Sequence, residues 1–233
     1  MNATVPFIRE RLRHTSLRDR LGNGQFVNTP TIAGIVLAAG ASTRLGTAKQ
    51  LVLDESGGAM VVRAARQLLE AGCAPVVVVT GAEHAAVASV LAVLPVEVTC
   101  NAEWPEGMGS SIRHGIEWVE SHSTVCHAAL IAACDMPSVD TAHLQAIISR
   151  SSNCAFLVAS EYESASGAHI RGIPALFPKA RWTALRALSG DRGARDMLQS
   201  TDTLSIFLRN GWFDLDTPSD LARWRANPSP HGR

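Results

Sequence analysis

The sequence predicts one doubly wound, three-layer α/β domain, with a mostly parallel sheet covered by helices on both faces. Three observations predict the layers and their winding. From Ile32 onward, short apolar runs bounded by turn residues alternate with longer amphipathic stretches, which is the pattern of repeated βαβ units. The apolar runs are continuous rather than alternating, as strands buried on both faces require. No internal repeat or low-complexity linker follows residue 31, so 233 residues resolve into a single domain at roughly 150 residues per domain.

Taken in order, strands are predicted at 32–38, 75–80, 96–100, 128–133, 155–160, 173–177 and 203–208. Between the first two, Val61, Ala64, Ala65, Leu68 and Leu69 recur at i, i+3, i+4, i+7 and i+8, so this stretch is a helix with a core-facing stripe. Gly72 and Pro75 close it. Further helices are predicted at 83–92, 110–120, 141–149, 179–188, 194–200 and 217–225. The last one opens on Thr217-Pro218-Ser219-Asp220, which supplies an N-cap, a proline at the first helical position and an acid two residues later. The domain is predicted to span 31–227, with a short flexible tail at 228–233. Residues 1–30 lack periodicity and carry Arg9, Arg11, Arg13, Arg18 and Arg20 against Glu10 and Asp19, which reads as a solvated, disordered extension.

Composition excludes several function classes. Basic and acidic residues number 21 each, so no bulk field is available to attract nucleic acid or an anionic membrane. Any anionic ligand must be held by local charges. No apolar run approaches the roughly 20 residues that cross a bilayer, and the polar N-terminus lacks a signal core, so a soluble cytoplasmic protein is expected. Cys73, Cys100, Cys126, Cys134 and Cys154 form no Cys-x-x-Cys pair, which excludes a zinc knuckle and a disulfide framework; they are expected to be small buried hydrophobes.

In a doubly wound sheet, ligands bind beyond the carboxyl ends of the strands. The first strand runs there into Leu37-Ala38-Ala39-Gly40-Ala41-Ser42-Thr43-Arg44-Leu45-Gly46-Thr47-Ala48-Lys49. Small residues let backbone N–H groups reach an anion, Arg44 and Lys49 add positive charge, and Ser42 or Thr43 can donate hydroxyls, so the loop reads as a phosphate cradle. It is not a Walker loop, because Gly40 and Gly46 enclose five residues and Lys49 does not follow the second glycine directly. Nor does the chain carry a dinucleotide fingerprint: Gly22 and Gly24 precede any strand, and Val27 stands where the third glycine belongs. Lysine occurs only at 49 and 179, so a lysine in this loop suggests a need for a compact point charge. An ordinary strand-to-helix turn with solvated Arg and Lys is the alternative.

The run Leu-Ala-Ala-Gly-x-Ser-x-Arg-x-Gly-x-x-Lys at 37–49 resembles the signature of nucleotidyltransferases related to the molybdenum cofactor guanylyl- and cytidylyltransferases. Runs at 101–111, 135–137, 172–177, 190–195 and 214–221 resemble the cytidylyltransferase branch in the same order, so the resemblance spans about 32–225. Gly58-Ala59-Met60 departs from the Gly-x-Pro-Leu turn common in such proteins. The resemblance implies transfer of a nucleoside monophosphate from an NTP to an acceptor phosphate with magnesium, Mg2+, and release of pyrophosphate. It further implies CTP and a molybdopterin-type acceptor, with a molybdoenzyme or its chaperone as a possible partner. Such chemistry needs positioning and charge neutralisation rather than a dedicated base, so no histidine is assigned a role. His84, His114, His122, His127 and His143 are expected to be surface or capped residues.

Each candidate role has a structural alternative. Asp135 ends a buried apolar run before Met136-Pro137 and is the first metal candidate, since magnesium takes one or two carboxylates beside phosphate oxygens and water; a turn-initiating Asp is the alternative. Asp216 is the second expected ligand, with Asp214 as the less favoured choice and Asp220 as a helix-start acid. Arg44 and Lys49 are expected to neutralise the triphosphate. Leu37, Ala38, Ala39, Gly40, Thr80, Asn101, Gly109 and Ser110 are expected to build the nucleotide pocket, although Ser110 or Ser111 would equally serve as a helix N-cap. Ala39 would crowd a purine more than a pyrimidine, favouring CTP over GTP. Arg171, Gly172, Asp191 and Arg195 are expected to face the acceptor, with salt bridging at helix ends as the alternative. Two other functions fit fewer of these residues: a cytidylyltransferase acting on a sugar or polyol phosphate, and a non-catalytic cofactor-binding chaperone for a molybdoenzyme.

Overall fold

The computed structural model describes residues 30–164 and 167–226. The expected N-terminal extension, save residue 30, and the C-terminal tail lie outside the described residues.

Seven strands form one sheet: β1 (Thr31–Ala38), β2 (Val76–Thr80), β3 (Glu97–Cys100), β4 (Cys126–Ala133), β5 (Val158–Glu163), β6 (His169–Pro178) and β7 (Leu204–Phe207), in the order β3-β2-β1-β4-β6-β5-β7. All pairings are parallel except those of β6, which runs antiparallel to both β4 and β5. The helices are α1 (Met60–Glu70), α2 (His84–Leu91), α3 (Met108–His122), α4 (Thr141–Arg150), α5 (Trp182–Arg186), α6 (Arg195–Leu198) and α7 (Pro218–Ala226). Strand side chains alternate between two buried cores, as the period of two dictates. Val36, Val76 and Val78 pack with Val61, Leu68, Leu144 and Ile147 on one face. Ile35, Val77 and Val79 pack with Ile112, Ile116, Trp182 and Leu185 on the other. The doubly wound prediction is therefore met.

Differences from the predicted boundaries have local causes. β5 begins three residues late because Ser152, Asn153 and Cys154 adopt positive φ in a turn after α4. The helix predicted at 179–188 divides into a 3-10 turn, Lys179–Arg181, and α5. α3 starts two residues early, on Gly107 rather than on a serine cap. The start of α7 is as predicted: Thr217 N and Oγ1 donate to Asp220 Oδ2, and Asp220 N donates back to Thr217 Oγ1. Four cysteines are buried, but Cys100, at the end of edge strand β3, is exposed. His143, expected to be a surface or capped residue, is buried, and its backbone N donates to the N-cap oxygen Asp140 Oδ1 at 2.7 Å. Its Nε2–H donates to Ser160 Oγ, whose own hydrogen goes to the Pro174 carbonyl (2.8 and 2.7 Å), and this chain satisfies a polar irregularity in the β5–β6 register. Among the described residues, no helix is long and apolar enough to cross a membrane.

The chain reverses its direction of growth between β1 and β4, and a crevice opens beyond their carboxyl ends. Because β6 is antiparallel, its amino-terminal half, including Arg171 and Gly172, reaches the same rim as the carboxyl end of β5.

Candidate active site

The loop after β1 is cinched from inside by Gln50. This buried amide donates to the carbonyls of Ala38 (3.1 Å) and Gly40 (2.6 Å) and accepts from Ser42 Oγ (3.3 Å). Ser42 takes a positive φ of 55°, and its Oγ also accepts from Lys49 N at 3.1 Å. The loop is thereby closed at both ends, and Lys49 leaves it in a fixed direction.

That direction leads to two carboxylates. The Lys49 ammonium forms a short ion pair with Asp135 Oδ2 and lies 3.3 Å from Asp216 Oδ1. Arg44 reaches the other Asp216 oxygen at 2.8 Å from a largely exposed position. Asp135 stands just beyond β4 and is 8 % exposed, so solvent screens its charge poorly. Its carbonyl accepts from Leu215 N at 3.1 Å, which clips the segment bearing Asp214 and Asp216 onto the end of β4. Arg63 of α1 holds the same loop from beneath, donating to the carbonyls of Pro137 (2.9 Å) and Val139 (3.0 Å). Burial acts to lower the Lys49 pKa, but the charge and hydrogen bond of Asp135, with the Asp216 charge, outweigh it and hold the pKa above the usual lysine value. Asp214 keeps solvent-accessible surface, yet desolvation by the surrounding protein and the neighbouring Asp135 and Asp216 charges push its carboxyl up to about 7.

Both Asp135 and Asp216 thus direct an oxygen at one positive centre. Among the described residues, no group of three or more His, Cys, Asp or Glu side chains is placed to enclose a metal. Two hard oxygen donors at an open mouth match a cation that completes its shell with phosphate oxygens and water, as magnesium does.

The remaining predicted residues fall into three groups. The Leu37 and Ala38 side chains point into opposite cores, leaving only backbone toward the crevice, whereas Gly40 is exposed with open space around its Cα. Ala39 is nearly buried, and its carbonyl accepts from Ala82 N at 3.2 Å. The Thr80 hydroxyl is fully buried between the Thr99 carbonyl (2.9 Å) and His84 Nδ1 (2.7 Å). The Asn101 side chain is also committed internally, to Ser110 Oγ, Ser111 Oγ and Glu103 N, and Ser110 Oγ donates on to the Glu103 and Gly107 carbonyls. Gly109 N donates to Gly190 O, and a Cβ on Gly107 would overlap Asp191 Oδ1, so Asp191 covers the start of α3. Arg171 is engaged by Glu161 (3.6 Å) and the Ser200 carbonyl (3.0 Å). Arg195 is exposed on α6.

Sequence reasoning missed Gln50 and Arg63. Gln50 adjoins Lys49 in the motif, but only its burial reveals the clamp; Arg63 interrupts the apolar stripe of α1 and gave no other signal.

Residues 34–204 match the family model described as the MobA-like NTP transferase domain. The chain belongs to this family. The chain is 30% identical over 201 residues to a protein named nicotine blue oxidoreductase from Paenarthrobacter nicotinovorans, covering 83% of this chain and 96% of that one. Its fold is similar to that of Rv0371c from Mycobacterium tuberculosis H37Rv, with a TM-score of 0.71 and 25% identity over 85% of this chain and 100% of the other. A manganese complex of Rv0371c is similar at a TM-score of 0.67 and 23% identity, over 84% and 99% of the two chains. As a member of the MobA-like group, this chain has a nucleotidyltransferase-type domain.

Proposed function

We propose that the protein transfers CMP from CTP to the terminal phosphate of molybdopterin or molybdenum-molybdopterin. In this reaction an oxygen of the acceptor phosphate bonds to the α-phosphorus of CTP. The bond from that phosphorus to the bridging oxygen breaks, and pyrophosphate departs with the electron pair. The convergence of Lys49, Asp135, Asp216 and Arg44 at one point of the crevice carries this reading.

The acceptor phosphate is already an anionic nucleophile, so the chain's residues position groups and neutralise charge. Lys49, fixed by the Gln50 clamp, and the exposed Arg44 would draw the triphosphate, releasing their carboxylate partners. Asp135 and Asp216 would hold Mg2+, which supplies charge neutralisation to the phosphates when bound. Charges fixed before reaction require no reorganisation as negative charge develops on the leaving group. The backbone of Leu37, Ala38, Ala39 and Gly40 would line the nucleotide, and the Thr80, Asn101, Gly109 and Ser110 networks would shape its nucleoside wall. The methyl of Ala39 favours a pyrimidine. Arg171, Gly172, Asp191 and Arg195 border the acceptor side of this reading.

Pyrophosphate release tests it, with CTP or GTP as donor and molybdopterin or methylerythritol phosphate as acceptor. CTP with molybdopterin is expected to give the highest kcat/KM; faster release with GTP overturns the donor assignment, and preference for the polyol phosphate overturns the acceptor. Oxidation or reduction of the acceptor without pyrophosphate release would instead favour the kind of reaction for which the Paenarthrobacter relative is named. Acceptor binding with neither reaction would leave the chaperone.

A further inference from the structure

Trp104 opens a short 3-10 turn, Trp104–Glu106, between β3 and α3. The turn is fixed to the sheet. Asn101 N donates to the Thr80 carbonyl at 2.8 Å, Trp104 N to the Asn101 carbonyl at 3.4 Å, and Gly107 N to the Trp104 carbonyl at 3.1 Å. The acids that flank Trp104 are held by α3, where Arg113 Nη2 lies 2.6 Å from Glu103 Oε2 and 3.2 Å from Glu106 Oε2. α3 itself packs closely on β1 and β2, because a Cβ on Gly115 would stand only 2.8 Å from Ile35 Cγ2 and 3.2 Å from Val79 Cγ2. The turn that leads into α3 is thereby brought over the carboxyl ends of these strands.

The indole reaches from there toward the first loop. A Cβ on Gly81, the residue after β2, would stand 2.7 Å from Trp104 Cγ, 2.8 Å from Cδ1 and 2.5 Å from the Ala39 carbonyl oxygen. Position 81 therefore has room only for glycine, and the ring lies against backbone beside Ala39. Ala82 N, donating to the Ala39 carbonyl at 3.2 Å, ties the two loops together under it. No core claims this side chain. Among the described residues, Trp104 joins none of the three apolar clusters, whereas Trp118 and Trp182 join one, Trp224 joins another, and Trp212 is set edge-on against Phe213. Trp104 is half-buried, so a ring pinned at the crevice keeps apolar surface that a ligand can cover.

We infer that the Trp104 indole is the stacking platform for the nucleobase of the donor, and that Gly81 is the clearance that seats it. The inference rests on the proposed transfer reaction and assigns the residue that holds the base end of the nucleotide, whereas Lys49 and Arg44 hold its phosphates. Every base has a π-face, so stacking supplies affinity without choosing between bases. That choice is left to the methyl of Ala39, whose carbonyl borders the same ring. The charges at the other end hold any polyphosphate alike, so a ring contact gives the nucleotide an advantage over the pyrophosphate that must leave.

Calorimetric titration with CTP and with inorganic tripolyphosphate, each with magnesium and without acceptor, tests this. Trp104→Leu keeps an apolar group against Gly81 but removes the π-face. It is expected to raise the CTP Kd about ten-fold while changing the tripolyphosphate Kd less than about two-fold, and Trp104→Phe is expected to bind CTP within about three-fold of wild type. An unchanged CTP Kd in W104L overturns the inference. So does an equal loss for tripolyphosphate, which would make the ring a support of the loop only. Without any variant, CTP should quench the tryptophan emission of the wild-type protein saturably and tripolyphosphate should not; the same response to both overturns the inference. If wild type releases no pyrophosphate with any acceptor, the proposed function fails, whereas these titrations still decide whether a base stacks on Trp104.

Discussion

At the scale of single residues, the site is an unequal balance of charges, and its members should respond differently to substitution. Lys49→Ala leaves Asp135, Asp214 and Asp216 facing one another at the crevice, so stability should fall by about 1–3 kcal/mol as well as turnover. Asp135→Asn still leaves Lys49 paired with Asp216, so its urea midpoint should stay near wild type while kcat falls about 100-fold or more. Unfolding curves and pyrophosphate release on both variants check this contrast. His143 provides a pH dependence. Burial lowers its pKa below the ordinary imidazole value of 6.5, against the raising influence of Asp140, so the fold favours the neutral ring. A depressed folded-state pKa contributes stability that is present above the unfolded value and lost as pH falls through the folded one. Wild type should therefore lose more stability than His143→Gln between about pH 7 and 5, as read from urea midpoints.

At the scale of elements, the Asp135 carboxylate is only as well placed as the loop after β4. α1 buries Val61, Ala65 and Leu68 against the sheet, and its Arg63 is left to bind the two loop carbonyls that follow Asp135. Arg63→Ala removes both hydrogen bonds at once. Stability should fall by about 1–3 kcal/mol and kcat should fall with little change in the CTP KM, because the side chain holds the loop rather than the nucleotide. Arg63→Lys should recover part of the stability, since an ammonium also has several donors but ends nearer the backbone than the single Nη2 atom that serves both carbonyls. The antiparallel β6 has a comparable role for Gly172, which it carries to the rim at the carboxyl end of β5.

At the scale of the whole molecule, a formal net charge of zero means that no bulk field draws a polyanion to the protein. Arg44 is largely exposed at the crevice, so raising salt from about 50 to 300 mM should increase the CTP KM several-fold as screening sets in. The urea midpoint should scarcely move over the same range, because the two cores that sandwich the sheet are apolar. Kinetics and unfolding measured in parallel across a salt series separate these responses.

The sequence by itself determined the layers and picked out the charged residues that converge at the candidate site. Apolar runs of strand length, the helical stripe at 61–69 and the capping signal at 217–220 are local patterns that burial enforces, so all seven strands lie close to where they were expected. The glycine-bearing loop after the first strand and the aspartate after the fourth were legible for the same reason, since chain order in a wound sheet fixes which strand ends share a crevice. Tertiary structure alone decided the rest: that Asn101 and Thr80 spend their polar groups inside, that Gln50 clamps the loop, that Arg171 is engaged by Glu161, and that the Trp104 ring lies against Gly81. Hydrogen-bond partners and steric clearance join residues far apart in the chain, and no periodicity along the sequence records which side chain will come to face which backbone group.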